Sequence, residues 1–266
     1  YLPAPGGAPG ADTGDAPIAF SGLAETPSAD LFTGSAATRI GIDVPPGRRG
    51  VSPAIALQYS SNGGPSPYGY GWSLPIPRVS RSTKHGVPRF DASDELVLSL
   101  GSTRVELVPE PGTPRYHAKI EGSYLRVGFD ASANRWRVVD KSGTTFELGS
   151  NVESRLGPTP DRANGTAVWM LTRSVDVFGN HVDYEYLAEA PNEGLPSRIR
   201  YGGNLRTGIE HPFEVEFSWG PSTYPSLPVS SYRAGYAALQ SHLLLAIVTH
   251  TPAGLARRYS LSHDGD

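Results

Sequence analysis

Apolar and polar residues alternate along most of the chain after Ala37, and a period of two predicts strand after strand. In TRIGIDVP, Ile40, Ile42 and Val44 share one parity while Arg39 and Asp43 take the other. The turn PPGRRG (45–50) follows, and the next run returns Ile55, Leu57 and Tyr59 in phase, which predicts a hairpin. A Gly/Pro/aromatic loop, NGGPSPYGYG (62–71), then leads into a strand through Trp72, Leu74 and Ile76.

Two later stretches can be written out in more detail. In RWRVVDKSGTTFELG, a three-residue loop Lys141-Ser142-Gly143 sets Trp136 opposite Leu148 and Val138 opposite Phe146, with Gly143 where a left-handed residue is wanted. The other face then pairs Arg137 with Glu147, opposite charges directly across the ladder. In DVFGNHVDYEYLAEAPNEGLPSRIRYGG (176–203), Gly179-Asn180 supplies a turn. Val182, Tyr184 and Tyr186 then share one face, with His181, Asp183 and Glu185 on the other. Leu195, Ile199 and Tyr201 line up on the apolar face of the next run, with Arg198 and Arg200 opposite the acids. The tyrosines are expected on a half-buried face, their hydroxyls reaching water or a backbone carbonyl.

These patterns predict an all-β fold of hairpin-rich antiparallel sheets with little helix. One stretch is ambiguous: AGYAALQSHLLLAIV (234–248) reads as a helix or as a turn leading into a strand. Trp72, Trp136, Trp169 and Trp219 each fall in phase with an apolar strand face, which predicts four mostly buried scaffold residues.

Composition adds limits. With 31 Gly, 25 Pro and a single Met among 266 residues, the chain is rich in turns. Residues 1–34 are dominated by Ala, Gly and Pro, and the first basic residue is Arg39. Such a segment buries too little apolar surface to offset its ordering entropy, so it is expected to be a flexible leader ahead of a β domain at 35–266. The net charge of −3 gives no reason to expect a nucleic-acid partner. No run of 18 apolar residues occurs, so no helix is expected to span a membrane. Cysteine is absent, which removes disulfides and thiolate metal sites.

The arrangement G-N-x-x-x-Y-x-Y followed by L-x-x-I-x-Y (Gly179, Asn180, Tyr184, Tyr186, Leu195, Ile199, Tyr201) resembles the tyrosine–aspartate, or RHS, repeat. That repeat builds spiral β-sheets in RHS proteins, teneurins and the B and C components of Tc toxins. Residues 34–263 as a whole resemble the N-terminal domain family of Salmonella virulence plasmid B (SpvB). The matching pieces are Pro45-Pro46-Gly47-Arg48, Leu57-Gln58-Tyr59-Ser60-Ser61, Gly69-Tyr70-Gly71-Trp72-Ser73-Leu74 and Gly86-Val87-Pro88-Arg89-Phe90. They continue with Asp94, Trp136, Asp140 to Thr145, Trp169-Met170-Leu171 and Arg258-Tyr259-Ser260-Leu261; Phe90 and Met170 depart from the family pattern.

The resemblance implies a secreted structural module, held in the cytoplasm before release and located at the N-terminus of a longer polypeptide. A β-propeller and RHS repeats would follow it, with Tc A and C components as further partners, and together they would enclose a toxic C-terminal cargo. The structural motif residues are then Trp72, Trp136, Gly143, Trp169, Gly179, Asn180, Tyr184, Tyr186 and Tyr201, with no catalytic, cofactor or metal site. The alternative is a carbohydrate- or cell-surface-binding β module using exposed Tyr and Trp, including those of PYGYGWS (67–73).

Other chemistry was weighed on its residues. The family's namesake carries an ADP-ribosyltransferase in a separate C-terminal domain, and such enzymes use an E-x-E pair, which Glu214-Val215-Glu216 spells. Phe213, Val215, Phe217 and Trp219 make the alternate face apolar, so both glutamates read as the solvent side of a strand. Asp91, Asp94 and Glu95 lack the EF-hand spacing for calcium and read as a solvated turn. The seven histidines show no ligand spacing and are expected at surface or turn positions.

Overall fold

The computed structural model describes residues 28–30, 35–101, 103–120, 122, 124–190, 192–222 and 229–263. The fold is all-β, as the period-two pattern predicts, and among the described residues helix is confined to short 3-10 turns at 48–50, 152–154 and 163–165. Four strands, β1 (Ser28–Asp30), β2 (Ser35–Gly41), β3 (Ala56–Ser60) and β4 (Trp72–Ser73), form a small antiparallel sheet in that order. Ile40 lies opposite Leu57 in the expected hairpin. Residues 28–30, assigned to the leader by composition, instead pair with β2. Backbone hydrogen bonds hold them there, and an argument from apolar side chains does not register that contribution. The rest of the expected leader, 1–27 and 31–34, lies outside the described residues.

The next part is a meander: β5 (Arg78–Arg81), β6 (Leu96–Leu100), β7 (Thr103–Pro109), β8 (Arg115–Ala118), β9 (Arg126–Asp130), β10 (Arg135–Val139) and β11 (Thr145–Leu148). After the short β12 (Arg155–Leu156) comes β13 (Val168–Val175), which closes the meander into an eight-stranded barrel. It pairs with β5 through Val168–Met170 and with β11 through Leu171–Val175. A barrel of this size is filled by its own side chains. Val79, Leu98, Val138, Leu148, Trp136 and Trp169 are almost fully buried. The β10–β11 register is the one read from the sequence, with Trp136 opposite Leu148 and Arg137 opposite Glu147.

The second half of β13, Arg173–Val175, also starts an open meander by pairing with β14 (Asn180–Tyr186). Then follow β15 (Pro196–Asn204), β16 (Phe213–Pro221), the small ribbon β17 (Val229–Ser231) and β18 (Ala238–Gln240), then β19 (His242–Thr251) and β20 (Gly254–Ser260). The ambiguous stretch 234–248 is therefore a turn leading into strand. Leu243, Leu244, Ala246, Ile247 and Val248 of β19 are buried. Among the described residues β20 ends the sheet, with one edge paired to β19 and no strand on the other.

Candidate functional site

The tyrosines of the open meander tie its layers together. The Tyr186 hydroxyl donates to the Leu171 carbonyl at 2.6 Å, anchoring β14 to the strand that closes the barrel. The Tyr201 hydroxyl donates to the Pro45 carbonyl at 2.8 Å, holding the loop after β2. In the reverse sense, Tyr259 Oη accepts from the Asp43 N–H at 2.9 Å. Burial raises the Tyr184 and Tyr186 hydroxyl pKa values and pushes Tyr201 up to about 12. Tyr186 and Tyr201 are thus deeper than the half-buried face expected of them.

Gly179 and Asn180 do more than turn the chain. Gly179 has φ +88°, and Asn180, also buried, receives Nδ2 of Asn204 on its Oδ1 at 2.9 Å. Asp176 accepts both the Asn180 N–H (2.8 Å) and its Nδ2 (2.7 Å), so one asparagine joins the β13–β14 turn to the end of β15. Gly143 (φ +84°) completes this rim from the barrel side, since a Cβ there would lie 2.5 Å from Val177 Cγ1.

The four tryptophans divide into pairs. Trp136 and Trp169 are each 1% exposed and meet edge to face at 5.8 Å inside the barrel. Trp169 Nε1 donates to Asn134 Oδ1 at 2.8 Å. Trp72 and Trp219 are half-buried and pack against the edge of the core. Trp219 lies where the β16–β19 register shifts by one residue, with Leu245 of β19 left unpaired; its Nε1 donates to the Pro196 carbonyl at 2.8 Å. Trp72 sits on the short edge strand β4 against Tyr59, at 5.3 Å.

The charged face is paired, with offsets. Arg200 bonds Glu185 rather than Asp183, Arg198 lies 3.7 Å from Glu214, and Glu216 lies 3.4 Å from His250. Neighbouring strands twist, so diagonal partners come within reach of long side chains. Glu214 and Glu216 therefore occupy a strand face as ion-pair partners. Asp94 accepts from Arg81 (2.8 Å) and from the N–H groups of Arg89 (2.8 Å) and Phe90 (2.7 Å), clamping the β5–β6 loop. Arg81 and Asp94 are almost wholly buried, so Asp94 departs from the solvated turn expected, while Asp91 is exposed as expected.

Two histidines also depart from expectation. His181 and His211 come together with ring centroids 4.2 Å apart, and both side chains are 7% exposed. Gly203 makes this possible: a Cβ there would lie 2.8 Å from His181 Cε1 and 3.0 Å from His211 Nδ1. Gly202, at φ +88°, forms the bulge that shifts the register beside His181. Asp183 receives Arg173 Nε at 2.5 Å and Nη2 at 2.8 Å, with His211 Nε2 at 3.1 Å. Burial pushes the Asp183 carboxyl up, but hydrogen bonds from Arg173 and His211 outweigh it and hold it well below the usual range.

His181, Asp183 and His211 are the one metal-sized His/Asp/Glu group among the described residues, with a donor atom from each within 4.8 Å of the others. The ligand atoms of His211 and Asp183 are already engaged. His211 Nδ1 accepts the Gly203 N–H at 3.2 Å, so the neutral ring carries its proton on Nε2, toward Asp183. Both Asp183 oxygens are held by a guanidinium. The group is a hydrogen-bonded cluster. Separation of the two histidines by 30 positions hides it from spacing rules; the Gly202-Gly203 pair is the only sequence signal.

Several concavities open among the described residues. A groove of about 540 Å³ runs between the small sheet and β20, lined by Ile40, Leu57, Tyr68, Tyr70, Trp72 and Tyr259. The PYGYGWS turn thus packs on the sheet, with Tyr68 5.7 Å from Trp219, while Tyr70 is 69% exposed. A smaller cavity of about 270 Å³ opens at the barrel mouth beside Phe90, Tyr116, Phe129 and Trp169.

A filled barrel continuing into an open, tyrosine-tied meander defines a β-scaffold whose polar groups are spent on internal bonds. The family model described as Salmonella virulence plasmid 65kDa B protein matches residues 31–201, and the chain belongs to that family. The chain is 36% identical to the mono(ADP-ribosyl)transferase SpvB of Salmonella choleraesuis (strain SC-B67), over 66% of this chain and 35% of that protein. It therefore spans about a third of the curated relatives it matches. Among solved structures, the N-terminal domain of effector protein SpvB from Salmonella typhimurium strain LT2 superposes with TM-score 0.62 at 23% identity, covering 85% of this chain and 99% of that one. The TcdB2-TccC3 crystal structure matches with TM-score 0.67 at 20% identity, over 85% of this chain and 14% of that one. The Photorhabdus luminescens Tc holotoxin pore gives TM-score 0.65 at 20% identity, over 82% and 13%.

Proposed function

We propose that the chain is a non-catalytic structural module of a Tc-type toxin, contributing β-sheet to a shell around a toxic C-terminal cargo. The observation that carries this reading is the edge of β20, which no strand pairs among the described residues, at the end of a wide antiparallel wall with Leu255 exposed. An edge of this kind invites strand pairing, and following repeats of the same polypeptide would supply it. The fold shared with a region of TcdB2-TccC3 supports the assignment. A propeller and RHS repeats downstream, Tc A and C components, and a secreted location complete the proposal. Glu214 and Glu216 stay outside any chemistry.

The test is limited proteolysis of the chain alone and within its longer polypeptide, beside NAD-hydrolysis and ADP-ribosyl-transfer assays. Protection of β20 only in the longer protein, with no turnover, is expected. Equal cleavage in both overturns the shell, and turnover abolished by Glu216→Ala overturns the non-catalytic reading.

A second reading, a carbohydrate- or cell-surface-binding module, is favoured by the exposed Tyr70 beside the aromatic groove. A glycan array decides it: signal lost in Tyr70→Ala supports binding, and a blank array removes it.

A further inference from the structure

The polar cluster beneath the β15–β16 connection leaves an added proton on either imidazole without an acceptor on its second ring nitrogen. Asp183 is the single acid in direct contact with the two rings, and Arg173 already neutralises it through two hydrogen bonds. The surrounding strands offer little to balance added charge. From β11, Glu147 faces Arg173; from β15, Arg200 stands opposite Asp183 and is engaged by Glu185. His211 contributes from the connection itself, and His181 from β14.

Protonation of either ring conflicts with this geometry. A proton on His211 Nδ1 would face the Gly203 N–H, which now donates to that nitrogen at 3.2 Å, so a donor would oppose a donor. His181 Nδ1 is buried without a hydrogen-bond partner, and its ring lies 4.2 Å from that of His211. A charge on both would set two cations side by side in a nearly dry site that already holds Arg173.

We propose that His181, His211 and Asp183 form an acid-released latch, which pins the β15–β16 connection (205–212) against β14 at neutral pH and lets it go under mildly acidic conditions. The sign follows from proton linkage. Burial, and then the neighbouring His211, push the His181 pKa down in the closed form. The opened form titrates near the ordinary histidine value of about 6.5, so it binds more protons as pH falls and closure weakens below that pH. One such imidazole shifts the opening equilibrium by at most about tenfold per pH unit. The proposal does not depend on the toxin reading, because it concerns only how this rim of the sheet is held.

Hydrogen–deuterium exchange on the intact chain, corrected for the intrinsic pH dependence, tests it at about pH 7.5 and about pH 5.5, either side of the histidine range. Peptides covering 200–212 should lose at least about tenfold protection on acidification while β9–β10 of the barrel keep theirs. In the double variant His181→Phe/His211→Gln the acid loss should disappear. Equal protection at both pH values in the wild-type chain overturns the latch, as does an acid loss that persists in the double variant. If that variant does not fold, imidazole NMR titration of the wild-type chain decides: titration of both rings below the ordinary value supports the proposal, and ordinary values for both reject it. Zinc-induced protection of 200–212 that needs both histidines would also overturn it, in favour of a metal site.

Discussion

Tyr201 donates its phenolic hydrogen to the carbonyl of Pro45 across 2.8 Å, although 156 positions separate them in the chain. This bond, with the Asp43–Tyr259 contact, seats the small sheet on the open meander. Tyr201→Phe keeps the ring and removes the bond. A loss of about 1 kcal/mol in urea unfolding is expected, with faster exchange at 43–47.

The buried tyrosines also set an alkaline limit. Burial pushes Tyr201 and Tyr236 up to about 12 and raises Tyr68, Tyr184 and Tyr186 as well. The unfolded hydroxyls titrate near pH 10. A raised folded pKa gives stability that is fully present below about pH 10 and is lost as pH climbs through about 12. Thermal melts across this range should show a falling midpoint, and phenolate absorbance should jump on unfolding.

Trp136→Ala should cost about 3–5 kcal/mol, the range for emptying a buried aromatic site. Trp72→Ala, at a half-buried edge, should cost clearly less. Chemical denaturation of the two variants checks the order, and equal losses would contradict the barrel's role as the main core.

Arg81→Ala leaves Asp94 buried without its cation, and about 3–5 kcal/mol should be lost. The double change Arg81→Met/Asp94→Leu should recover part of that loss. Double-mutant cycles on thermal stability measure the difference.

Asn180→Ala removes the link between two turns, and the orphaned Asn204 and Asp176 groups should cost about 1–3 kcal/mol. Gly143→Ala should also destabilise, because φ +84° strains any side chain and Val177 fills the space a methyl would need. Proteolysis near 176–180 and 204–209 reports both.

Local sequence carried much of this fold. The Trp136–Leu148 ladder was legible because its loop length, glycine and cross-strand charges all agree. Closure of the barrel was not, because β5 and β13 are far apart in sequence and no period announces which distant strands pair. The same holds for His181 with His211, and for the contact of Arg81 with Asp94, each made by a chain reversal rather than a motif. The strand at 28–30 escaped because its bonds are backbone bonds. Register shifts such as those at Gly202 and Leu245 arise from bulges, which add one residue that a period of two cannot anticipate.

A consequence of the shared strand concerns time rather than shape. Ser80 waits for Val168 before the ring can close, so on a ribosome the seven preceding barrel strands exist first as a ribbon with two raw edges. The strand that seals the ring, 168–175, then offers through Arg173–Val175 the template for the open wall. Synthesis interrupted before this strand should yield a sticky intermediate, and synthesis a few residues past it a quiescent one.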